Sequence, residues 1–578
     1  MKRFYKISFI IITFVLISNT GCNKLLEEHP RSQVVPSFLG TPGGLLGGLT
    51  AVYNDLRASY GTEGFELTQY AGTDETIPGT QAQGNGEFNL YNGLNSNTTS
   101  GGFGIWYRDI NTLNGILQFA ATSTLDAATL QQYVGQAKFL RAFCYFYLLT
   151  TYGNVPLHTT FTTTATSADA PALPADVYNQ IIKDLTDAST ALPNTITAPF
   201  LGKAATAPSA LFLLAKVYLT RGWSAVAQSS DFQSAYTIAS TLITNKATYG
   251  LDLWQDYADA FNIKNDYGKE VLFVSDHDNN TQFGQYTSGA SGGAAQNVLP
   301  NLFRWNYVTA LGINSGAGVP QVSTGPSPMV RDVANGRPYT RAAPNFNYIL
   351  NQAFAERIID SRYDKTFQTV WIANTPVTSS RGALTLGVDT AIWMPGFEVT
   401  AARRAAFKGV ITTPSQYSNN VFPTVKKFDD LTRAGANDPS TRPRCIYRFA
   451  EVYFVAAEAA FKLGDNTNAA KYLNFIRERA AFRASNSAAQ NTAAALAMDI
   501  TPAQVNIDFI LDEYTREFFN EPRRWYDLVR TQQLLRRVGL WNPLANANIK
   551  PFDVLRPIPQ DEINAILTGP PYPQNSGY

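Results

Sequence analysis

The chain has 578 residues, 46 Lys and Arg against 45 Asp and Glu, and a formal net charge of +1. That balance leaves no electrostatic footprint for nucleic acid, and three cysteines in such a length argue against a disulfide framework. An aromatic content of 12% beside only 16% charged residues excludes wholesale disorder, which needs few aromatics.

Lys2, Arg3 and Lys6 precede the apolar run Ile7 to Ile17, too short to cross a bilayer core of about 30 Å as a helix. The run closes on Ser18-Asn19-Thr20-Gly21-Cys22. A cationic start, a short apolar core and small residues before a cut describe a secretory signal. With the cut just before Cys22, residues 1–21 read as a lipoprotein signal, and Cys22 takes lipid on its sulfur and its new amino terminus. An ordinary signal with an incidental cysteine is the alternative, and the scarcity of cysteine elsewhere weighs against it. Loss of residues 1–21 takes the formal charge from +1 to −2. No later apolar run approaches transmembrane length, so the expectation is a soluble body tethered to a membrane surface. Cys144 lies in Phe143-Cys144-Tyr145-Phe146-Tyr147 and reads as a buried small hydrophobe.

A loop-rich section from Ser59 to Gly104 precedes a helix beginning near Ile105. Gln131 to Thr151 is a strongly apolar helix stopped by Tyr152-Gly153-Asn154-Val155-Pro156. Asp176 to Ala191 is amphipathic and ends before Pro193. Ala210 to Arg221 and Phe232 to Ile243 form a pair joined at Gly222-Trp223. Tyr447 to Leu463, a Gly464-Asp465 turn, and Asn468 to Ala480 repeat that plan. Ala456, Ala459 and Ala460 before the turn, with Ala469 and Ala470 after it, let two antiparallel helices approach closely. A helix–turn–helix with alanines around a glycine turn is tetratricopeptide-like, here in degenerate form. The largest insertion, about 249–447, is rich in Gly, Asn, Ser and Thr, with Val271 to Val274 as a short strand. The fold class expected is mainly α: a tetratricopeptide-like helical repeat scaffold with long loop-rich insertions and a few short strands. Long aromatic loops on a rigid frame suit a binding surface.

Catalytic chemistry is sparse. His29, His158 and His277 show no ligand spacing, and no HExxH, CxxC pair or P-loop occurs, so no metal site and no cofactor are expected. Gly289-Ala290-Ser291-Gly292-Gly293 fits GxSxG, but no histidine follows His277 to complete a hydrolase triad. Asp276-His277-Asp278 reads as a solvated turn rather than a cation loop, because adjacent donors do not wrap an ion. Glu513, Arg516, Glu517, Glu521, Arg523, Arg524, Asp527 and Arg530 crowd one segment. Their interleaving points to an ion-pair network that lowers carboxylate pKa values, the wrong direction for a general acid. The loop aromatics Tyr70, Phe88, Tyr91, Phe103, Trp106, Tyr286, Trp305, Tyr307 and Trp393 remain. Exposed rings stack on the C–H face of a sugar while groups such as Asp74 and Arg304 bond its hydroxyls. Buried, the same rings anchor their loops. Trp305 and Tyr307, flanking Asn306 in a polar loop, are the pair most expected to stack.

Five stretches, in order, resemble the SusD/RagB-type outer-membrane lipoproteins. They are Cys22-Asn23-Lys24-Leu25-Leu26-Glu27-Glu28; Leu140-Arg141-Ala142-Phe143 leading to Tyr152-Gly153-Asn154-Val155-Pro156; Arg448-Phe449-Ala450-Glu451-Val452-Tyr453 through Glu458; Asp512-Glu513 and Arg516-Glu517-Phe518 with Arg524-Trp525-Tyr526-Asp527-Leu528-Val529-Arg530; and Leu555-Arg556-Pro557-Ile558-Pro559 closing on Gln574-Asn575-Ser576-Gly577-Tyr578. The resemblance implies one domain over 22–578, lipid-anchored in the outer membrane through Cys22 and facing the exterior. It implies non-catalytic capture of an oligosaccharide or polysaccharide as a lid on a SusC-like TonB-dependent transporter. Candidate ligand residues are then Tyr70, Asp74, Phe103, Trp106, Tyr286, Arg304, Trp305 and Tyr307. The family often carries tryptophan four residues before the tyrosine that opens the first long helix. Here Phe103 precedes Tyr107 and lacks the indole donor, so the starch-binding arc is not carried over. Three alternatives stay open, one of them a structural adhesin that uses the repeats as its binding surface. A peptide-binding lipoprotein of the same family would offer unpaired strand edges, and a surface glycoside hydrolase would face two carboxylates across a cleft at about 5–10 Å.

Overall fold

The structure, a computed structural model, describes residues 36–82, 86–98, 102–164, 167–195, 203–279, 296–308, 327–379 and 382–578. Helices dominate, as expected. In chain order they include α1 (Pro42–Asp55), α2 (Glu63–Tyr70), α3 (Phe103–Phe119), α4 (Ala127–Tyr152), α5 (Pro174–Ala191), α6 (Ala207–Gly222) and α7 (Asp231–Thr244). After the insertion come α8 (Ala450–Lys462), α9 (Asn466–Ala480), α10 (Ile507–Phe518), α11 (Arg524–Arg530) and α12 (Leu534–Trp541). Among the described residues no helix is long and apolar enough to cross a membrane.

Local chemistry explains the helix ends. The Asp126 carboxylate accepts from the Thr129 N–H at 2.9 Å and starts α4, as an N-cap should. Gly153, at φ +71°, ends it, a conformation that a side chain would strain. Thr206 and Ser209 form a reciprocal capping box at the head of α6. Asp465 caps α9 through the Asn468 N–H at 3.0 Å. Helix α4 is apolar on nearly every side from Phe139 to Leu149, which fits its place inside the array rather than on its surface.

Consecutive helices pack on one another from α3 to α7, α8 packs on α9, and α7 packs directly on α8. The tetratricopeptide-like array is therefore continuous across the insertion, which loops out between α7 and α8. Ala235 and Ala239 of α7 and Ala456, Ala459 and Ala460 of α8 are buried at these contacts, so small residues set the close approach. Cys144 is 1% exposed within this first core, as expected, and Cys144 and Cys445 are both free thiols.

The sequence reading begins the repeat helix at Tyr447, and the structure corrects it. Val271–Ser275, longer by one residue than expected, pairs antiparallel with a strand at Arg444–Arg448. Tyr447 is thus a strand residue, and α8 starts at Ala450. This hairpin-like pairing ties the two ends of the insertion together beside the array.

Between those ends the insertion builds a second core. Leu302, Trp305, Trp371, Ile392, Met394 and Phe422 pack there with Leu67, Tyr70 and Phe519. Its strands are short. β1 (Thr76–Pro78) pairs with β3 (Ala342–Pro344), where Val271–Ser275 is β2. A three-stranded sheet has β4 (Val370–Ile372) at one edge, β5 (Thr390–Trp393) in the middle and β6 (Val410–Ile411) at the other edge.

A buried ionic seam joins the two cores. Arg362 of the insertion meets Glu513 at 2.6 Å and Glu517 at 3.1 Å, both on α10. Arg448 meets Glu270 at 2.6 Å, and Lys427 meets Glu521 at 2.6 Å. Arg444 forms a bidentate pair with Glu66 at 2.9 and 2.7 Å. Burial opposes every one of these charges, yet the surrounding cations hold Glu517 and Glu521 down at about 2 and Glu513 well below the usual range. The network expected from the sequence is present: pairs along the helices, Arg516 with Glu513 and Arg530 with Asp527, are joined by others that cross between elements. Asp276-His277-Asp278 is not a solvated turn. His277 is buried with Nε2 at 3.0 Å from the Tyr60 carbonyl, Asp276 pairs with Lys203 at 2.8 Å, and Asp278 reaches Arg57 at 3.5 Å.

Candidate functional site

Most of the aromatics singled out in the sequence serve the cores. Trp305 is 1% exposed and packs edge-on against Trp371, ring centroids 5.6 Å apart. Tyr307 is buried and donates its hydroxyl to the Gly336 carbonyl at 2.6 Å. Trp106 lies between Phe143 and Tyr147, and Tyr70 lies against Phe303. Phe88 and Tyr91 are buried as well. The physical reason is the same in each case: an irregular loop has few backbone contacts, and a large ring supplies its anchor. None of these rings keeps a face for a sugar.

The polar candidates are committed too. Asp74 is fully buried and bridges Arg524 at 2.6 Å and Arg537 at 2.6 Å. Burial alone would raise its carboxyl, but the two guanidinium groups hold it down at about 2. Arg304 is 1% exposed, donating to the Pro300 carbonyl and pairing with Asp429. Phe103 is buried, although its ring lines a surface cleft. Tyr286, the Gly289–Gly293 stretch and Cys22 lie outside the described residues. Among the described residues no group of histidine, cysteine and carboxylates could hold a metal ion.

Trp393 differs from the rest. It ends β5, and its neighbour across the ladder is Val370 of β4, while the next pair, Trp371 and Ile392, is buried. Side chains alternate across a strand, so Val370, Ile372 and Trp393 share the outer face. Val370 is 40% exposed, and Trp393 is half-buried. Phe397, 57% exposed, stands edge-on to Trp393 at 6.0 Å, and Phe407 tilts against it at 6.0 Å. The Arg403 guanidinium lies 5.6 Å from the indole. It comes from the short helix Ala401–Ala406, which Thr400 caps through the Arg403 N–H. Arg403 is exposed, and among the described residues its guanidinium makes no hydrogen bond or ion pair.

Acidic groups border this platform. Glu398, pushed up by its surroundings but held lower overall, accepts from the Ser415 N–H at 2.8 Å. Asp389 is lowered by the Thr385 N–H and by Lys408. The result is two ring faces, one uncommitted cation and fixed acceptors at one surface. Phe397, Phe407 and Arg403 went unnoticed in the sequence. Their clustering depends on the β4–β5–β6 register, which no local pattern announces.

A larger cavity of about 560 Å³ opens beside α4, walled by Phe146, Tyr147, Tyr447, Tyr526, Leu528 and Leu555. Its cations are all paired: Lys216 to Glu451, Arg523 to Asp527 and Arg530 to Glu458.

Comparisons with known proteins agree with this architecture. The sequence profile described as the SusD family matches residues 408–578. A second, described as starch-binding associating with outer membrane, matches residues 50–219. SusD-like protein P2 of Formosa agariphila is 27% identical over 599 residues, covering 100% of both chains. Among solved structures, a laminarin binding SusD-like protein superposes with a TM-score of 0.65 at 21% identity, over 93% of this chain and 100% of that one. Surface glycan-binding protein A from Bacteroides thetaiotaomicron, in complex with laminarihexaose, gives a TM-score of 0.62 at 18% identity, over 93% and 99%. The first profile takes in the second half of the helical array and the motif of α10 and α11, and the second takes in α3 to α6; by sequence and by fold, the chain belongs to the SusD family.

Proposed function

We propose that the chain captures extracellular oligosaccharide or polysaccharide at the Trp393–Phe397 platform without cleaving it, and passes it to a SusC-like TonB-dependent transporter in the outer membrane. The observation that carries the reading is the platform itself, two adjacent partly exposed rings beside the unpaired guanidinium of Arg403. A sugar offers an apolar C–H face and a rim of hydroxyls, and that combination meets both halves. Membership of the family and the glycans named for its relatives support the ligand class. Residues 1–21 act as the signal, Cys22 carries the lipid, and 22–578 works as one domain in which the 249–447 insertion presents the ligand surface.

A non-catalytic role is supported by the state of the carboxylates. Glu513, Glu517, Glu521 and Asp527 are buried and held ionised by arginine and lysine neighbours, so none of them is a proton donor at neutral pH. Glu75 is raised to about 7 by burial, but it is 3% exposed and hydrogen-bonded by Thr515 at 2.7 Å. A second reading, peptide capture, is favoured by one observation: among the described residues β4 is an edge strand with no partner on its outer side, and Val370 and Ile372 are exposed, the geometry for adding a strand.

Affinity electrophoresis of the mature chain against plant, microbial and host glycans, with product analysis, tests the reading. Retardation by a polysaccharide without cleavage, lost in Trp393→Ala, is expected. Cleavage overturns it. Silence across the panel with binding of extended peptides assigns the surface to the second reading.

A further inference from the structure

A separate cleft of about 320 Å³ lies at the head of α3, at the small end of the roughly 300–1,000 Å³ usual for small-ligand sites. Three rings wall it: Phe103 and Tyr107 from α3, centroids 5.0 Å apart, and Tyr572 from the C-terminal tail. Both phenol groups are tied down. Tyr107 donates to the Pro156 carbonyl at 2.8 Å and Tyr572 to the Asn154 carbonyl at 3.0 Å. Their rings are therefore fixed as walls and their hydroxyls are spent.

The charge in the cleft is negative. His158 Nε2 lies 2.8 Å from Asp169 Oδ2, which pairs that carboxylate. Arg108 at the rim is engaged by Asp55 at 2.5 Å. Glu562 has no counterpart: it is half-buried, and among the described residues its carboxylate makes no hydrogen bond or ion pair. Burial, with Asp561 beside it, pushes its carboxyl up. Its Oε1 stands where a Cβ on Gly104 would come within 3.2 Å, so the carboxylate overlooks the first turn of α3 next to Phe103. The helix dipole favours a negative charge there, but no N–H bonds it. Asp169 and Glu562 both press on the phenols of Tyr107 and Tyr572, which places all four groups around one space.

Aromatic walls attract an organic cation through their ring quadrupoles, and an unpaired carboxylate supplies the counter-charge. An anion would meet Asp169 and Glu562, and a neutral sugar would leave Glu562 without a charge partner. We propose that this cleft binds the protonated amine of a small ligand, held by the faces of Phe103, Tyr107 and Tyr572 and paired to Glu562. This site is independent of the Trp393 platform. The amine belongs either to an amino sugar or to a lysine-like side chain.

Calorimetric titration of the mature chain with glucosamine and with Nα-acetyl-lysine amide, each beside its N-acetylated counterpart, separates the sources. At least one free amine is expected to bind at pH 7, with the acetylated form about tenfold weaker or worse. Glu562→Gln, at a half-buried position that keeps its fold by circular dichroism, is expected to weaken the amine by a similar factor. Trp393→Ala is expected to leave it unchanged. Equal binding of the free and acetylated forms, no binding of either amine, or wild-type affinity in Glu562→Gln overturns the proposal.

Discussion

Replacing Arg362 with methionine removes the central cation of the seam between the array and the insertion. Arg362 is fully buried and touches Asp360 at 2.7 Å, Glu513 at 2.6 Å and Glu517 at 3.1 Å. Glu513 keeps Arg477 at 2.8 Å and Arg516 at 2.7 Å, and Glu517 keeps Arg448 and Arg479. Asp360 keeps no cation among the described residues, only the residue-362 N–H at 3.0 Å. One uncompensated buried carboxylate costs about 3–5 kcal/mol, and that is the loss expected for Arg362→Met in urea unfolding of the mature protein. Adding Asp360→Asn removes the stranded charge, so the double variant is expected to recover about 2 kcal/mol or more in a double-mutant cycle. A single variant within about 1 kcal/mol of the parent, or a double variant no better than the single, refutes the reasoning.

Trp393→Ala is expected to lower glycan affinity by about 1–3 kcal/mol, a hot-spot loss, read by titration with whichever polysaccharide retards the protein. Trp305→Ala, by contrast, opens a cavity in the second core and costs about 3–5 kcal/mol of stability, visible in thermal melts. Cys22→Ala is expected to leave the membrane fraction and to lose label from a radiolabelled fatty acid; variant protein that keeps both would refute lipidation at this cysteine. Acid weakens the seam in a defined window. Glu517 and Glu521 sit at about 2 in the fold against about 4.3 in an unfolded chain. The unfolded state therefore binds more protons between those values, and stability present above about pH 4.5 is lost as pH falls towards 2, by about 2–3 kcal/mol per group. Unfolding midpoints across that range check the slope.

The helices were legible because their signals are local. Asp126, Thr206 and Asp465 cap what the periodicity fills, and Gly153 and Gly464 end what precedes them. The alanines around Gly464 marked the repeat correctly. What local signals miss is partnership at a distance. Tyr447 continues an apolar helical pattern, yet the strand Arg444–Arg448 answers to Val271–Ser275, far earlier in the chain. The site suffered more. An aromatic in a polar loop reads alike whether it anchors the loop or faces solvent, and only the β4–β5 register separates buried Trp371 from outward Trp393. Asp74 looked like a free polar group because Arg524 and Arg537, its partners, arrive from the other end of the chain.

The direct packing of α7 on α8 has a consequence for how the molecule is made. These helices touch, but about two hundred residues separate them, and closing a loop of that length costs roughly 5 kcal/mol of chain entropy before any contact repays it. Such non-local closure slows folding. A chain emerging amino terminus first exposes the small-residue face of α7 until Ala456, Ala459 and Ala460 arrive to cover it. The interval between the two is the window in which a growing molecule is open to aggregation and proteolysis, and it lengthens with every residue added to the insertion.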